Sequence, residues 1–545
     1  MFTEPAIGEN FFGRKDVLEL LNKRVLALKD GYRQNIALTG QSLSGKSSII
    51  LHFLNLIGEE GFLPIYVEVT KEPFVSFAQK YIATMLYNAL RSRGIAVKMN
   101  VSFEELLVHA RESLPRTYSA IKQVITSIDC EKYEEAYSGI LGLTSILKGE
   151  TGISCIVILD EFDNLEHLGV KNPFLSFGRV IMVQKDTMYI VTSSRNRAIK
   201  KILSEKLSLL FGNFEIIKVG SFDLQTSLAF IESKTSGFDV DNSVKRFLIA
   251  FTGGNPFYLD NLITYAKDES LNNLTSFIGE DSIARSVLRS VYKSNGPIHQ
   301  YMLNYLLNLL DTDMREDCFN VLVSIARSEN TQNRISRFIK KRQAETSKLL
   351  SRLLELGLVS KNGVYYSIDD ELLGFWLARV YSRKKEILVD GPIDKETLFM
   401  EDITGFISEF SGESERDLGA RITELFNQFS NDLVQIDSKN IRLPHFTKVE
   451  CRPGEDSKPI IVASFNRNIW ASQVYDKDVN ENDIVDYIRN LKSLDHKIAH
   501  KIIIPLKGMD ENAKLLAKEL KISIWNRDTI NMLLGIYGKM RIVAI

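Results

Sequence analysis

The feature that most constrains the fold is Gly40-Gln-Ser-Leu-Ser-Gly-Lys-Ser47, which matches GxxxxGK[ST] at every fixed position. The apolar run NIAL precedes this segment, and SSIILHFLNLI follows it with helical spacing. A phosphate-binding loop requires this order of strand, loop and helix. The glycines let backbone N–H groups wrap a phosphate, and the helix N-terminus adds its dipole. The sequence therefore predicts a nucleotide site at the end of a strand.

The loop residues carry a specific chemical prediction. Lys46 is expected to reach the β- and γ-phosphates of ATP as a point charge, and the Ser47 hydroxyl is expected to ligate Mg²⁺. We expect bound ATP or ADP to contact the whole loop, which consists of Gly40, Gln41, Ser42, Leu43, Ser44, Gly45, Lys46, Ser47 and Ser48.

An acidic pair follows a second apolar run, in CIVILDEFDNL (155–165). Asp160 at the strand tip is expected to hold Mg²⁺ through water. Glu161 is expected to orient or deprotonate the water that attacks the nucleotide. Asp163 either adds a further acid to the site or caps the next helix.

A third apolar run, in MYIVTSSRNR (188–197), also ends in polar residues. Ligands of open α/β sheets lie at such strand ends. Ser193 or Ser194 is expected to sense the γ-phosphate, and Arg195 to neutralise charge that develops on it. The alternative is a solvated basic loop without a role in the site.

The segment between residues 35 and 217 alternates short β-branched runs with helical stretches. Three of the runs are almost entirely apolar, as expected for strands covered on both faces, so the pattern predicts a parallel, doubly wound α/β sheet. The predicted strands are residues 35–40, 63–69, 155–161, 188–194 and 214–220.

Beyond residue 220 the pattern predicts further domains. A helical bundle is followed by more helices and by LVSKNGVYYSI (358–368), whose central KNG turn indicates a β-hairpin. Residues 382–396 form a predicted linker, and a separate α/β domain follows. The predicted domains are a P-loop core (1–222), a helical lid (223–312), a winged helix-turn-helix (313–385) and a C-terminal domain (400–545).

Composition narrows the class of protein. The chain has 545 residues, of which 44% are hydrophobic and 25% charged, close to the average of globular proteins. The four cysteines form no CxxC pair, so neither a zinc knuckle nor a disulfide scaffold is expected. No apolar run has the roughly 18–20 residues that cross a bilayer, and the N-terminus has no signal-peptide pattern. We expect a multidomain cytoplasmic protein without membrane contact.

The motifs together resemble archaeal ATPases of the STAND class, relatives of the origin-recognition AAA+ proteins. FFGRKDVLELL (11–21) is similar to the family's FxGRxxEl motif, and VTSSR is similar to its TsR sensor. TGGNPFYL (252–259) resembles the GGxP lid motif, and ELLGFWLARVY (371–381) resembles the FW tail. The matching pieces span about residues 8–381. Asp16 stands where the family usually has Glu.

The resemblance implies further site residues and a mechanism. Arg14 and Pro256 would lie near the base and ribose, with Pro256 placing the lid over the adenine. Arg195 would act as a γ-phosphate sensor within the same chain. ATP would bridge the core and the lid, and hydrolysis would change their relative angle.

The last 145 residues resemble restriction-endonuclease-like domains in element order, with Glu424 on the leading helix. Such nucleases need an acid followed by E-x-K on a central strand, to hold Mg²⁺ and activate water. The corresponding strand is predicted to be PIIVASFNR (459–467), which has Ala463 and Phe465 at the Glu and Lys positions. We therefore predict a non-cleaving domain. Glu450, Glu455 and Asp456 precede this strand and supply a partial site at best.

A local basic region favours DNA as a partner. Residues 331–361 contain eight basic and two acidic residues, 8 − 2 = +6, in a chain with a net charge of −1. The predicted recognition helix is 344–357, whose leucines face the core while polar residues face outward. The predicted DNA contacts are Lys340, Lys341, Arg342, Thr346, Ser347, Lys348, Arg352 and Lys361, the last at the wing tip Ser360-Lys361-Asn362.

Three functional interpretations stay open at this stage. The first is an ATP-driven switch that binds DNA through its winged helix. The second is a signalling or scaffold ATPase in which the winged helix is an internal packing module and the C-terminal domain binds a protein. The third, an ATP-regulated nuclease, is opposed by the missing E-x-K. The sequence decides neither the DNA preference nor whether the chain forms a homo-oligomer.

Overall fold

The computed structural model describes residues 5–57, 61–98, 100–207, 212–386, 395–437, 439–452, 459–492, 494 and 497–543. The chain divides into two compact units. The first extends to Ser221 and includes Asn255–Phe257, and the second comprises Phe222–Gly254 and the residues from Tyr258 onward. None of the helices in the described ranges has both the length and the apolar character that a membrane span requires.

The first unit alternates helices and strands. Its strands are β1 (Asn35–Thr39), β2 (Leu63–Glu68), β3 (Cys155–Asp160), β4 (Thr187–Ser193) and β5 (Phe214–Lys218). Its helices are α1 (Lys15–Lys29), α2 (Lys46–Ile57), α3 (Phe74–Ser92), α4 (Phe103–Ser113), α5 (Pro115–Asp129), α6 (Tyr133–Thr151), α7 (Pro173–Val183) and α8 (Asn196–Lys201).

The five strands form one parallel sheet in the order β2-β3-β4-β1-β5. This confirms the five predicted strands and the doubly wound α/β class, with strand ends that differ by one or two residues. Because all strands run in one direction, the residues that follow β1, β3 and β4 meet at the carboxyl edge of the sheet. The phosphate loop and both polar clusters of the sequence lie at this edge.

Both faces of the sheet are buried, which explains the apolar strands. Alternate residues of β3 enter two different clusters: Ile156 and Ile158 pack with α1 and α2, whereas Val157 and Leu159 pack with α3 to α7. Burial of apolar area on each face stabilises the sheet by roughly 25 cal/mol per Å². The sheet therefore offers a rigid edge on which polar side chains are held.

The second unit begins with helices and ends with a mixed sheet. Its helices are α9 (Leu224–Lys234), α10 (Asn242–Thr252), α11 (Pro256–Asn272), whose first two residues belong to the first unit, α12 (Glu280–Val287), α13 (Pro297–Leu309), α14 (Arg315–Ala326), α15 (Gln332–Phe338), α16 (Gln343–Leu356), α17 (Glu371–Phe375), α18 (Ser382–Glu386), α19 (Lys395–Glu415), α20 (Leu418–Asn427), α21 (Glu481–Leu491), α22 (Glu511–Glu519) and α23 (Arg527–Ile536). Its strands are β6 (Asp239–Val240), β7 (Phe277–Ile278), β8 (Ser360–Asn362), β9 (Tyr365–Ser367), β10 (Asp432–Ile436), β11 (Lys439–Leu443), β12 (Lys448–Arg452), β13 (Ile460–Phe465), β14 (Asn468–Tyr475), β15 (Asp478–Val479), β16 (Lys497–Pro505), β17 (Gly508–Met509) and β18 (Ser523–Ile524).

Helix α19 packs on the helical bundle α9–α13. The Phe399 ring stacks on Tyr292 at 4.3 Å between centroids, and the Phe410 ring lies 5.6 Å from Phe247. The predicted boundary at residue 400 therefore falls inside a helix that belongs with the bundle. Of the predicted linker 382–396, residues 387–394 lie outside the described residues.

Helices α14, α15 and α16 precede the antiparallel hairpin β8–β9, which is the predicted hairpin. Leu349, Leu350 and Leu353 of α16 are buried, as the leucine spacing predicts. Thr331 pairs with Tyr365 and adds a third short segment to the hairpin. This three-helix and hairpin group supplies the basic residues that the sequence assigns to DNA contact.

The C-terminal sheet has the order β12-β13-β14-β16-β18. Strands β12, β13 and β14 are antiparallel neighbours, and β16 and β18 continue the sheet in parallel with β14. Helices α20 and α23 cover one face, and α21 and α22 cover the other. The sequence prediction missed β10, β11, β14 and the two-residue strands β15 and β17. Ser472 and Gln473, both fully buried, interrupt the apolar pattern of β14 and explain that omission.

The tip of the β8–β9 hairpin lies against β10. The Asn362 side chain donates to the Gln435 carbonyl at 2.9 Å and accepts from the Gln435 N–H at 2.6 Å. A Cβ at Gly363 would lie 1.7 Å from the carbonyl oxygen of Leu433, so only glycine permits this approach. The Asn362 side chain at the predicted wing tip is therefore bonded to β10, and contact of the wing tip with DNA stays a prediction.

We predict that Gly363→Ala separates the hairpin from β10, because its Cβ would overlap the Leu433 carbonyl. Gly357→Ala is the matched control, since Gly357 also has a positive φ but no atom near its Cβ position. Both variants carry the backbone strain of roughly 1–2 kcal/mol. Amide hydrogen exchange should accelerate in β10 only in Gly363→Ala; equal exchange in β10 of the two variants would contradict the contact.

Candidate nucleotide site

The phosphate loop takes its shape from close approaches and left-handed residues. A Cβ at Gly40 would lie 2.1 Å from the carbonyl oxygen of Val219, the residue after β5, so this position requires glycine. Leu43 and Gly45 have φ values of 59° and 95°. A non-glycine residue in this region is strained, and such strain concentrates at functional sites. The loop thus turns sharply between β1 and α2, as the motif predicts.

Lys46 lies inside the loop and is only 4% exposed. Its ammonium donates to the carbonyls of Gly40 at 3.1 Å and Gln41 at 2.9 Å, and to the Ser194 hydroxyl at 2.9 Å. Burial lowers the pKa of this ammonium, while the nearby carboxylates of Glu161 and Asp160 oppose that shift. The ammonium therefore lies between the loop and the end of β4.

The Asp160 carboxylate at the end of β3 accepts hydrogen bonds on both oxygens. Oδ2 accepts from the Ser47 hydroxyl at 2.9 Å and from the Tyr66 hydroxyl at 2.9 Å. Oδ1 accepts from the Thr192 hydroxyl and from the Glu161 N–H. The structure brings Ser47 and Asp160, the predicted metal residues, into direct contact.

Glu161 has a left-handed φ of 53°, which turns its side chain toward the end of β4. Its carboxylate accepts from the Ser194 hydroxyl and from the Ser194 N–H at 3.2 Å. Burial raises the pKa of the Glu161 carboxyl, and the Lys46 ammonium offsets part of that rise. Lys46, Ser194 and Glu161 thus form one continuous hydrogen-bonded chain, and a raised pKa suits a carboxylate that accepts a proton from water.

Asp163 and Arg195 form an ion pair, with the Arg195 Nε donating to the Asp163 carboxylate. Asp163 is 1% exposed and also accepts from the Ser193 hydroxyl at 2.7 Å. The interpretation of Asp163 as a helix cap is wrong, because Asp163 lies within a short 3₁₀ helix and its carboxylate faces β4. Asp163 holds the guanidinium of Arg195, and the predicted contact of Arg195 with the γ-phosphate stays a prediction.

The remaining predicted residues lie around the loop. Arg14 has a left-handed φ of 60°, and its guanidinium donates to the carbonyls of Ser44, at 3.1 Å, and Gly220. The Ser48 hydroxyl accepts from the Ala6 N–H at 3.0 Å. Pro256 belongs to the same compact unit as the loop. The contacts of Arg14 and Pro256 with base and ribose stay predictions.

The residues present fit a magnesium nucleotide. The Ser44 hydroxyl is buried without a hydrogen-bond partner in the described part of the chain, and a phosphate oxygen would supply the missing hydrogen bond. Ser47 and Asp160 offer the oxygen ligands that Mg²⁺ prefers. Lys46 and the N-terminus of α2 supply positive charge for the phosphates.

Sequence reasoning missed Tyr66 and Thr192. Neither belongs to the motif, and each reaches Asp160 from a different neighbouring strand. Thr192 directly precedes Ser193 and Ser194, so its hydroxyl could have been assigned to the site from the sequence. For Tyr66 the sequence offered less, only a phenol in the otherwise mostly apolar strand β2.

The eight basic residues between residues 331 and 361 fall into two sets, according to whether their side chains have a partner. In the paired set, Lys341 bonds Asp317, Arg342 bonds Glu345 and Arg352 bonds Asp311, all at 2.7–2.8 Å, while Lys361 lies 5.4 Å from the Tyr366 ring centroid. The open set has exposed side chains with neither an ion pair nor a contact with an aromatic ring among the described residues. It consists of Arg334, Arg337, Lys340 and Lys348.

The predicted recognition helix corresponds to α16, with one correction. Thr346 does not face outward: it is 0% exposed, and its hydroxyl accepts from Ser336 at 3.0 Å and donates to the Arg342 carbonyl. Ser347 and Lys348 are exposed, as predicted. Thr346 lies three and four residues before Leu349 and Leu350, so it shares the buried face of the leucines.

The C-terminal acids do not converge on one point in the described residues. Glu424 pairs with Arg416, and Glu450 pairs with Lys448 and Arg452. Glu455 and Asp456 lie outside the described residues. The centre of the sheet is β14 rather than β13, and β14 contains neither Asp nor Glu. The described residues contain no group of three or more His, Cys, Asp or Glu that would hold a metal.

No protein-family model and no curated protein matches the chain. The Walker-type ATPase of Pyrococcus abyssi is similar in structure, with 18% identity and a TM-score of 0.48 over 69% of this chain and 99% of that chain. The ORC2 protein of Aeropyrum pernix, in ADPNP–ADP complexes, has 12% identity and a TM-score of 0.44 over 75% and 98%. The ORC1 protein of the same organism, in complex with DNA, has 14% identity and a TM-score of 0.37 over 69% and 94%. Likeness at this level assigns no function.

Proposed function

We propose that this chain is an ATP-binding and slowly hydrolysing molecular switch of the STAND and AAA+ type that binds DNA. The observation that carries the proposal is the chain Lys46–Ser194–Glu161, which lies beside the contact between Ser47 and Asp160. Phosphoryl transfer needs a cation for the phosphates, oxygen ligands for Mg²⁺ and a base for water. These groups meet at one edge of a rigid sheet.

Each residue has a distinct part in the proposed hydrolysis. The Lys46 ammonium binds phosphate oxygen, and the loop N–H groups orient the chain of phosphates. The Glu161 carboxylate orients water and accepts its proton. Arg195 leaves Asp163 to meet charge on the γ-phosphate. When bound, Mg²⁺ neutralises charge on the phosphates, and Ser47 and Asp160 would hold it.

Two variants separate binding from turnover. Lys46→Ala should lose nucleotide binding, because it removes the ammonium that the loop surrounds. Glu161→Gln should bind ATP as the unchanged chain does but lose at least about 10²-fold in hydrolysis, since an amide cannot accept the proton. Fluorescent-nucleotide titration and phosphate release measure the two steps. Lys201→Ala, which changes an exposed lysine of α8, is the control and should bind and hydrolyse ATP as the unchanged chain does. Undiminished hydrolysis in both Lys46→Ala and Glu161→Gln would exclude this site.

DNA is proposed to bind at α15 and α16, with α14–α16 and β8–β9 forming a winged helix. The first turn of a recognition helix enters the major groove, and adjacent basic residues contact phosphates. We assign this contact to the open set, because each residue of the paired set already contacts an acid or an aromatic ring. Two of those acids, Asp311 and Asp317, lie outside residues 331–361. Including them lowers the local charge from +6 to 8 − 4 = +4.

A second candidate is the scaffold interpretation, and the covered hairpin favours it. Asn362 and Gly363 meet β10, so the hairpin already serves as an internal packing surface. The C-terminal domain, proposed as a non-cleaving restriction-endonuclease-like domain, would then recruit a protein. The two candidates differ in whether the open basic set contacts DNA.

The two basic sets provide matched variants for this question. Changing the four open-set residues to Gln should weaken duplex binding and lower the slope of log K against log salt by up to roughly 0.9 per lost phosphate contact. The same change in Lys341, Arg342, Arg352 and Lys361 removes equal charge and should have a smaller effect. Fluorescence anisotropy at several salt concentrations measures both. An unchanged slope in the open-set variant would favour the scaffold.

A further inference from the structure

Tyr66 lies on the edge strand β2, outside the phosphate motif and both polar clusters. Its hydroxyl donates to Asp160 Oδ2 at 2.9 Å, the oxygen that also accepts from Ser47. The ring is half-buried and packs against the apolar cluster beneath α2. The ring is therefore held by packing, and its polar tip is aimed at the carboxylate.

The strand register explains how Tyr66 reaches this carboxylate. In the parallel pairing of β2 with β3, Tyr66 lies opposite Ile158, and Glu68 lies opposite Asp160. Tyr66 is thus two residues back along the neighbouring strand, a separation that a long aromatic side chain spans. A shorter hydroxyl at this position would not extend as far.

The hydrogen bonds of Asp160 come from three sides. Thr192 of β4 and the Glu161 N–H hold Oδ1, whereas Ser47 and Tyr66 hold Oδ2. Ser47 is itself a proposed metal ligand, so its hydroxyl has two tasks. Tyr66 is the donor on Oδ2 that has no part in the phosphate loop, and it keeps that oxygen in place independently of Ser47.

We propose that Tyr66 is a positioning residue for the divalent-cation site: its hydroxyl fixes the Asp160 carboxylate in the orientation that binds Mg²⁺. This inference rests on the proposed nucleotide site. Side chains that orient a metal-binding carboxylate typically affect metal affinity by about 10- to 100-fold. Tyr66 makes no described contact with the phosphate loop backbone, so its effect should fall on the cation rather than on the nucleotide.

The test uses Tyr66→Phe in the full chain, with Mn²⁺ as the probe for the cation. Free Mn²⁺ is followed by electron paramagnetic resonance in the presence of protein and ADP, and a fluorescent ADP analogue is titrated separately in EDTA. Tyr66→Phe should bind Mn²⁺ about tenfold more weakly while its ADP affinity in EDTA stays within about twofold. Tyr189→Phe is the control. It removes the hydroxyl of a tyrosine on β4 of the same sheet, which donates to Gln184 and not to Asp160, so neither affinity should change.

The outcomes are distinct. Mn²⁺ affinity in Tyr66→Phe that equals or exceeds that of the unchanged chain would overturn the positioning role. Equal weakening of Mn²⁺ and ADP binding would also overturn it, since it would indicate general disruption of the site. Absence of both Mn²⁺ and ADP binding in the unchanged chain would instead overturn the proposed nucleotide site.

Discussion

The proposed nucleotide site depends on one buried carboxylate at the end of β3. Asp160 accepts hydrogen bonds from the phosphate loop through Ser47, from β2 through Tyr66 and from β4 through Thr192. These contacts join separate elements at the edge where the polar residues converge. A buried charge is tolerated only when its hydrogen-bonding capacity is filled, and here both oxygens are bonded. The carboxylate thereby fixes the distance between the loop and the residues that would act on water.

Sequence reasoning predicted the core of this site because the relevant signals are local. A phosphate loop has fixed spacing, and buried parallel strands are recognisable as apolar runs, so the loop and all five strands were found. The contact of Tyr66 with Asp160 was not predicted, because the two residues are separated by 94 positions in the sequence. The Asp163–Arg195 pair, with a separation of 32 positions, was not predicted for the same reason. Such pairs depend on strand register, which one sequence does not reveal.

In the second unit, the local charge was also mispredicted because it depends on residues that are distant in the sequence. The basic segment was predicted from neighbouring residues, but Asp311 and Asp317 are brought to it only by folding. Thr346 was assigned to the surface as a polar residue, although it lies on the same face of α16 as the buried leucines. Likewise β14 was missed because a strand covered on both faces can carry buried Ser and Gln. The open set is consequently a narrower and more specific hypothesis for DNA contact than the whole basic segment.

The proposed switch links ATP turnover at the first unit to DNA contact at the second, and one measurement tests that link. Phosphate release from ATP by the full chain should be measured with and without duplex DNA, at about 50 mM and 200 mM salt. For a DNA-linked switch, duplex DNA should change the rate of phosphate release at low salt, and the change should be smaller at high salt. Equal rates with and without DNA at both salt concentrations would contradict a DNA-linked switch.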